Sequence, residues 1–291
     1  MILITGASGM AGRAVLDAAS KTGAPVKAMY RNAEDARKVS AGIPTVLADF
    51  ADENSLNQAL QGIDTVFLVC SPIPNLVELE GNVIDACKEN GVSHIVLNSA
   101  LGAGDYPKSF PSWHRKVEDK LQASGLPYTI LRPNSFMQNI VTYNAPGIRA
   151  QGAFYSAMGN ARVSLIDVRD VAIVAAAALA APTEHAGKIY ELDGPQSLTN
   201  AEIARKISHA AGRDVQFVDI PESAQRKAML EMGMPEWQVT ALLELQQYYT
   251  AEGKGGEVTD VLRNLLGHDP IVLDEFLHEF RDSFRSQAVS A

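Results

Sequence analysis

Three glycines in the run Gly6-Ala7-Ser8-Gly9-Met10-Ala11-Gly12 have the type and spacing to hold a pyrophosphate. Gly6 permits a tight turn, Gly9 lets the backbone approach the phosphates, and Gly12 lets a following helix pack closely on the preceding strand. Unpaired N–H groups of that helix's first turn then face the anion. Ser8 and Met10 belong to the same loop and are expected at the cofactor. The run directly follows the apolar residues 2–4, the context in which such a string signals a dinucleotide site. A second position selects the nucleotide. Residues 26–30 end in Arg31-Asn32, where a site for a free ribose 2′-hydroxyl carries Asp or Glu. A guanidinium matches a 2′-phosphate bidentately. The expected cofactor is therefore NADP(H), with NAD(H) weaker.

The elements that must position these residues alternate along the chain. Residues 1–4, 26–30, 45–48, 65–69, 94–98 and 128–131 are β-rich and mostly apolar throughout. Strands of a parallel sheet covered on both faces have this character. Helical patterns lie between them, at 11–20, 55–61 and 82–90, and a further strand is expected at 188–192. This alternation predicts an α/β fold, a doubly wound parallel Rossmann sheet.

After Gly194 the texture changes. Residues 199–211 read as an amphipathic helix with Thr199 as N-cap and Gly212 past its end. Residues 222–286 read as mostly helical, broken by Gly and Pro near 233–235, 253–256 and 267–270. The expected division is an NADP(H)-binding domain at 1–152, to which 167–195 return. A smaller, mostly helical substrate-side cap would comprise 153–166 and 196–291.

Bulk properties exclude several classes. The 291 residues carry a formal net charge of −9, which opposes binding to nucleic acid. The two cysteines, Cys70 and Cys87, make a disulfide framework improbable and reduced thiols the default. The longest apolar run, 171–181, is alanine-rich and too short to span a bilayer, so it reads as a packed helix. The six histidines show no metal-ligand spacing. The expectation is a soluble, cytoplasmic protein without metal, with monomer and homodimer both open.

With these motifs in order, the sequence resembles the NmrA-like branch of the atypical short-chain dehydrogenases/reductases. The resemblance covers nearly the whole chain. It is carried by residues 6–12, Arg31, Ala48-Asp49-Phe50, His114 with Glu118, Gly125-Leu126-Pro127-Tyr128-Thr129-Ile130-Leu131-Arg132-Pro133, Ile166-Asp167-Val168-Arg169-Asp170-Val171-Ala172, and Tyr190-Glu191-Leu192-Asp193-Gly194. It implies an NADPH-dependent reductase of quinones, triphenylmethane dyes or azo dyes. It also implies an alternative, a sensor of NADP(H) that acts through protein partners without turnover. By the same resemblance Asp49 and Phe50 flank the adenine, and Cys70, Ser71 and Pro72 line the cofactor groove. Ser99 ends the fifth strand near the nicotinamide, and Pro133, Asn134 and Phe136 lie against it.

The resemblance also locates a departure. The superfamily's acid is a Tyr in a Tyr-x-x-x-Lys motif, and alignment through Gly125-Leu126-Pro127 places Phe110 at the Tyr and His114 at the Lys. Alcohol oxidation through a tyrosinate is then unexpected, which also speaks against an epimerase-like enzyme. What remains is hydride transfer to an acceptor that needs little acid catalysis. His114 has two open roles, proton donor or hydrogen-bond partner of the cofactor ribose or of Glu118. Tyr106 is a second candidate acid. Phe110, Phe136, Met137, Phe154 and Tyr155, with Met234 and Trp237, are expected to form a pocket for a planar aromatic; ordinary core packing is the competing role of each.

Overall fold

In the computed structural model, which describes residues 1–38 and 42–285, contacts divide the chain into two compact units. The first comprises Met1–Pro133 and Val168–Leu192; the second comprises Asn134–Asp167 and Asp193–Ala291. The sequence reading carried the first domain to residue 152 and returned 167–195 to it. Residues 134–152 instead belong to the second unit, because Met137, Ile140, Ala145 and Ile148 are part of its core.

The first unit is built on strands β1 (Ile2–Ile4), β2 (Val26–Tyr30), β3 (Thr45–Leu47), β4 (Thr65–Leu68), β5 (His94–Asn98) and β6 (Tyr128–Pro133). With Lys188–Leu192 they form a seven-stranded sheet in the order β3-β2-β1-β4-β5-β6-(188–192), parallel throughout. Between the strands lie helices α1 (Met10–Ala19), α2 (Ala33–Ala36), α3 (Glu53–Ala59), α4 (Leu76–Glu89) and α5 (Ser109–Ser124). β1, β4 and β5 are buried along their whole length, which is why their sequences are apolar without alternation. Side chains of α3, α4 and α5 cover one face through a core that includes Leu56, Val83, Leu97 and Val117. On the other face α1 packs beside the alanine-rich helix Val168–Ala180. Truncating Leu97, which has no exposed surface, to alanine should cost about 2–5 kcal/mol. The order reverses between β1 and β4, the switch point at which ligands bind beyond the strand ends.

The second unit holds its own core, with Phe154, Ile207, Phe276 and Phe284 at its centre. Asn200–Ala211 forms as expected: Thr199 and Glu202 make a reciprocal capping box, and Gly212 ends the helix in left-handed backbone. Glu222–Glu231, Glu236–Thr250, Val261–Leu266 and Leu273–Glu279 are helical, separated at the expected breaks. Residue 286, where the helical reading ended, lies outside the described residues. Two small strand pairs were not expected. Ala153–Ser156 pairs in parallel with Gln216–Asp219, and Arg162–Val163 pairs antiparallel with Leu198–Thr199. Among the described residues no helix is long and apolar enough to cross a membrane.

Candidate functional site

The end of β1 is clamped to the end of β4 by a threonine. Thr5 Oγ1 donates to the Phe67 carbonyl at 3.0 Å and accepts from the Val69 N–H at 3.0 Å. Gly6 follows with φ +57°, and a Cβ on it would stand 2.8 Å from Val69 Cγ1. Gly12 is tighter still, since a Cβ there would lie 2.2 Å from the Gly6 carbonyl oxygen. The turn and the start of α1 thus nest in each other, and no side chain caps the helix or places an acid in its first turn. The first-turn N–H groups are left for an anion, with Ser8, Gly9 and Met10 exposed beside them.

The other expected residues of the first unit follow its strand ends. Arg31 is exposed past β2. Asp49 is exposed and Phe50 half-buried past β3, in a loop held by Ser55 and by Asn82 Nδ2 donating to the Phe50 carbonyl at 3.0 Å. Cys70 is half-buried and Ser71 and Pro72 are exposed past β4. Burial pushes the Cys70 thiol up to about 12, assisted by the charge of Glu80, so it is no nucleophile at neutral pH. Ser99 follows β5 directly. Its hydroxyl is buried and donates to Glu118 Oε1 at 2.5 Å, so the strand end offers backbone there and not a free hydroxyl.

Glu118 is the hub of a buried network. It has no exposed surface and receives Arg132 Nε at 3.0 Å and Nη2 at 2.6 Å, while Arg132 Nη1 reaches Glu191 at 3.1 Å. The same guanidinium lies against Gly104, where a Cβ would stand 2.5 Å from Nη1. The β5–α5 loop, α5, β6 and the strand Lys188–Leu192 are therefore tied at one point. One turn before Glu118 is His114, 7% exposed and not in contact with it by any hydrogen bond. Its Nδ1 has no partner among the described residues, and burial lowers its pKa to about 4. Phe110, one turn earlier, is buried edge-to-face against Trp113 at 5.3 Å. Pro133 and Tyr106 are also buried. Ser109, at the start of α5, has φ +56°, the one non-glycine in that region among the described residues.

In the second unit, Asn134 is a structural residue. Its Nδ2 donates to Ser164, Asp193 and the Gly255 carbonyl, and its Oδ1 accepts from Ser135 N–H and Tyr249 OH. At 3% exposure with both side-chain polar atoms engaged, its amide is committed to the fold of this unit. Met137 and Phe154 are likewise spent in the core, at 1% and 6% exposure. Phe136 and Met234 are half-buried, while Tyr155 and Trp237 keep 47% and 37% of their surface exposed. An open pocket of this unit, about 1050 Å³, is lined by none of these; Met158, Asp219, Ile220 and Tyr249 are among its walls.

The profile of the NmrA-like family matches residues 1–277. The chain belongs to the NmrA-like family. It is 37% identical over 278 residues to an NAD(P)H azoreductase of Xenophilus azovorans, covering 95% of this chain and 96% of that protein. It is 31% identical over 281 residues to quinone oxidoreductase 2 of Escherichia coli, covering 94% and 96%. A solved structure of an NADPH-dependent quinone oxidoreductase from Escherichia coli, complexed with NADPH, superposes with a TM-score of 0.88 at 30% identity, over 96% of this chain and 99% of that one.

This NmrA-like chain carries a residue that the motifs do not point to. Burial raises the pKa of the Tyr30 phenol, and the charge of Arg13 opposes the rise, which places Arg13 near the end of β2. Arg13 is exposed one residue beyond Gly12. Its only signal in the sequence is a cation in a helix turn that is otherwise small and apolar.

Proposed function

We propose that this protein is an NADPH-dependent reductase that passes hydride to a quinoid, azo or related aromatic acceptor, without the Tyr/Lys proton relay. The observation that carries the reading is the edge at Phe110 and His114. A buried phenyl ring occupies the position to which the resemblance assigns the acid, and a neutral, buried imidazole follows one turn later. Relatives named for azo and quinone reduction support the acceptor class.

The residues fit the cofactor on the close backbone approach at Gly12 and the uncapped start of α1. Bound NADPH supplies a hydride at its nicotinamide. The first-turn N–H groups at Met10 and Ala11, next to the turn in which the Gly9 N–H donates to the Gly6 carbonyl, would hold the pyrophosphate, and Arg31, with Arg13 near it, the 2′-phosphate. Asp49 and Phe50 would flank the adenine. His114 remains neutral near pH 7, so it offers a hydrogen bond and not an acidic proton. The proton then comes from water, which suits acceptors that take hydride without strong acid assistance. Tyr155, Trp237 and Phe136 are the aromatic surfaces proposed for the acceptor.

The test is NADPH oxidation against a panel of quinones, azo dyes and triphenylmethane dyes. Turnover with at least one class, weakened in Phe136→Ala, supports the reading. Stoichiometric NADPH binding with no acceptor-dependent oxidation would favour a sensor instead.

A further inference from the structure

The second unit contains a concentration of cationic side chains that the proposed reductase chemistry does not use. Lys206, His209, Asp274, His278, Arg281 and Arg285 line a pocket of about 480 Å³ formed by the helices Asn200–Ala211 and Leu273–Glu279 and the segment after them. Two cations are accounted for: Lys206 Nζ pairs with Asp274 at 2.5 Å, and Arg285 Nη1 with Asp282 at 2.8 Å. Arg281 is not. Its Nη1 donates to His278 Nε2 at 3.2 Å, and it has no carboxylate partner among the described residues. His209 has no hydrogen-bond partner among them either.

This arrangement is unusual for the molecule. Acidic residues outnumber Lys and Arg by 34 to 25, so carboxylates are in excess. A guanidinium left to an imidazole, in a concave site with a second free imidazole, keeps most of its five N–H donors open. His209 and His278 lie in the last turns of their helices, where the dipole also favours a cation, but that effect is small at exposed termini beside a charge-assisted bond to a phosphate oxygen. Arg281 with Lys206 and Arg285 could contact three oxygens of one tetrahedral anion, with the imidazoles completing the shell.

We propose that this pocket is an anion site for a phosphate group, carried either by inorganic phosphate or by a small phosphate monoester. It lies wholly within the second unit and does not depend on the phosphate loop at Gly6.

The experiment is calorimetric titration of the full chain, saturated with NADP⁺, using inorganic phosphate in one arm and glycerol phosphate in the other. The expected result is saturable binding of at least one probe, weakened at least tenfold in Arg281→Ala and unchanged in Arg31→Ala. Which probe binds more tightly distinguishes the free anion from the monoester. Thermal unfolding gives a second readout: the probe raises the midpoint of the wild type and not of Arg281→Ala, because only a ligand of the folded state stabilises it. Binding that never saturates, or that is unchanged in Arg281→Ala, overturns the proposal.

Discussion

Arg132 grips Glu118 with two donors, Nη2 to Oε2 at 2.6 Å and Nε to Oε1 at 3.0 Å. Both groups are out of water, Glu118 completely and Arg132 to all but 11% of its side chain. Removing one member of a buried pair leaves an uncompensated charge, a cost of about 3–5 kcal/mol. Glu118→Leu and Arg132→Met should each unfold at markedly lower urea. The double variant should recover much of the loss, because no orphan charge remains. Additive losses in the double variant would contradict this account.

Gly12→Ala should abolish tight NADPH binding. The added Cβ would meet the Gly6 carbonyl oxygen at 2.2 Å, so α1 has to move away from the turn that shapes the phosphate site. Overpacking of this kind costs about 1–3 kcal/mol of stability. Fluorescence titration with NADPH, at a temperature where circular dichroism shows the variant folded, separates site loss from unfolding.

Arg31→Ala should erode the preference for NADPH over NADH. A lost charged hydrogen bond costs about 1.5–3 kcal/mol, so discrimination falls roughly ten- to a hundredfold. Arg13→Ala should show a smaller effect in the same direction. Equal affinity of the wild type for both cofactors would remove the 2′-phosphate argument.

His114 should make the protein sensitive to acid without making its catalysis sensitive near neutrality. Its folded pKa is near 4 and its unfolded value near 6.5, so the unfolded chain binds the proton more readily in between. The stabilisation is complete above pH 6.5 and is lost as pH falls toward 4, by roughly 1.4 kcal/mol per unit. Urea unfolding at pH 7 and pH 5 should show a larger drop for the wild type than for His114→Gln. In kcat, no inflection near pH 6.5 is expected from this residue; one that vanishes in His114→Gln would restore it as a proton donor.

Glu80 works in the opposite sense. It is fully buried on α4, no hydrogen bond closes on either carboxylate oxygen among the described residues, and burial raises its pKa to about 8 against a smaller lowering from the Cys70 backbone. The folded state therefore keeps a proton that the unfolded chain loses near pH 4.5, and stability falls as pH rises from 4.5 to 8. Glu80→Gln should flatten that slope. Urea midpoints at pH 5 and pH 8 that differ equally in both proteins would show that Glu80 is not its source.

The sheet was legible because fully buried parallel strands have apolar sequences of the right length, as in residues 94–98, and glycines mark the phosphate turn. At Phe110 the sequence shows the residue type alone; its burial edge-to-face against Trp113 is seen only in the structure. What could not be read was where polar side chains spend their hydrogen bonds. Asn134 and Ser99 sit at strand ends like ligand contacts, yet their partners Tyr249 and Glu118 are distant in sequence and carry no local signature. Phe154 was ambiguous for the same reason, because an aromatic at a strand start serves a core or a pocket equally well. The two small strand pairs escaped because Arg162–Val163 and Leu198–Thr199 are each two residues long and stabilised only by pairing.

The last strand of the sheet has a consequence for synthesis. β6 is paired along its outer side only by Lys188–Leu192, and everything from Asn134 to Gly187 must be made first. While that stretch leaves the ribosome, the backbone of residues 129–133 presents unsatisfied N–H and C=O groups beside the apolar Ile130 and Leu131. An open edge of this kind invites pairing with another nascent chain. The folding intermediate at risk is thus dated by the chain itself: it begins when Pro133 emerges and ends when Leu192 does.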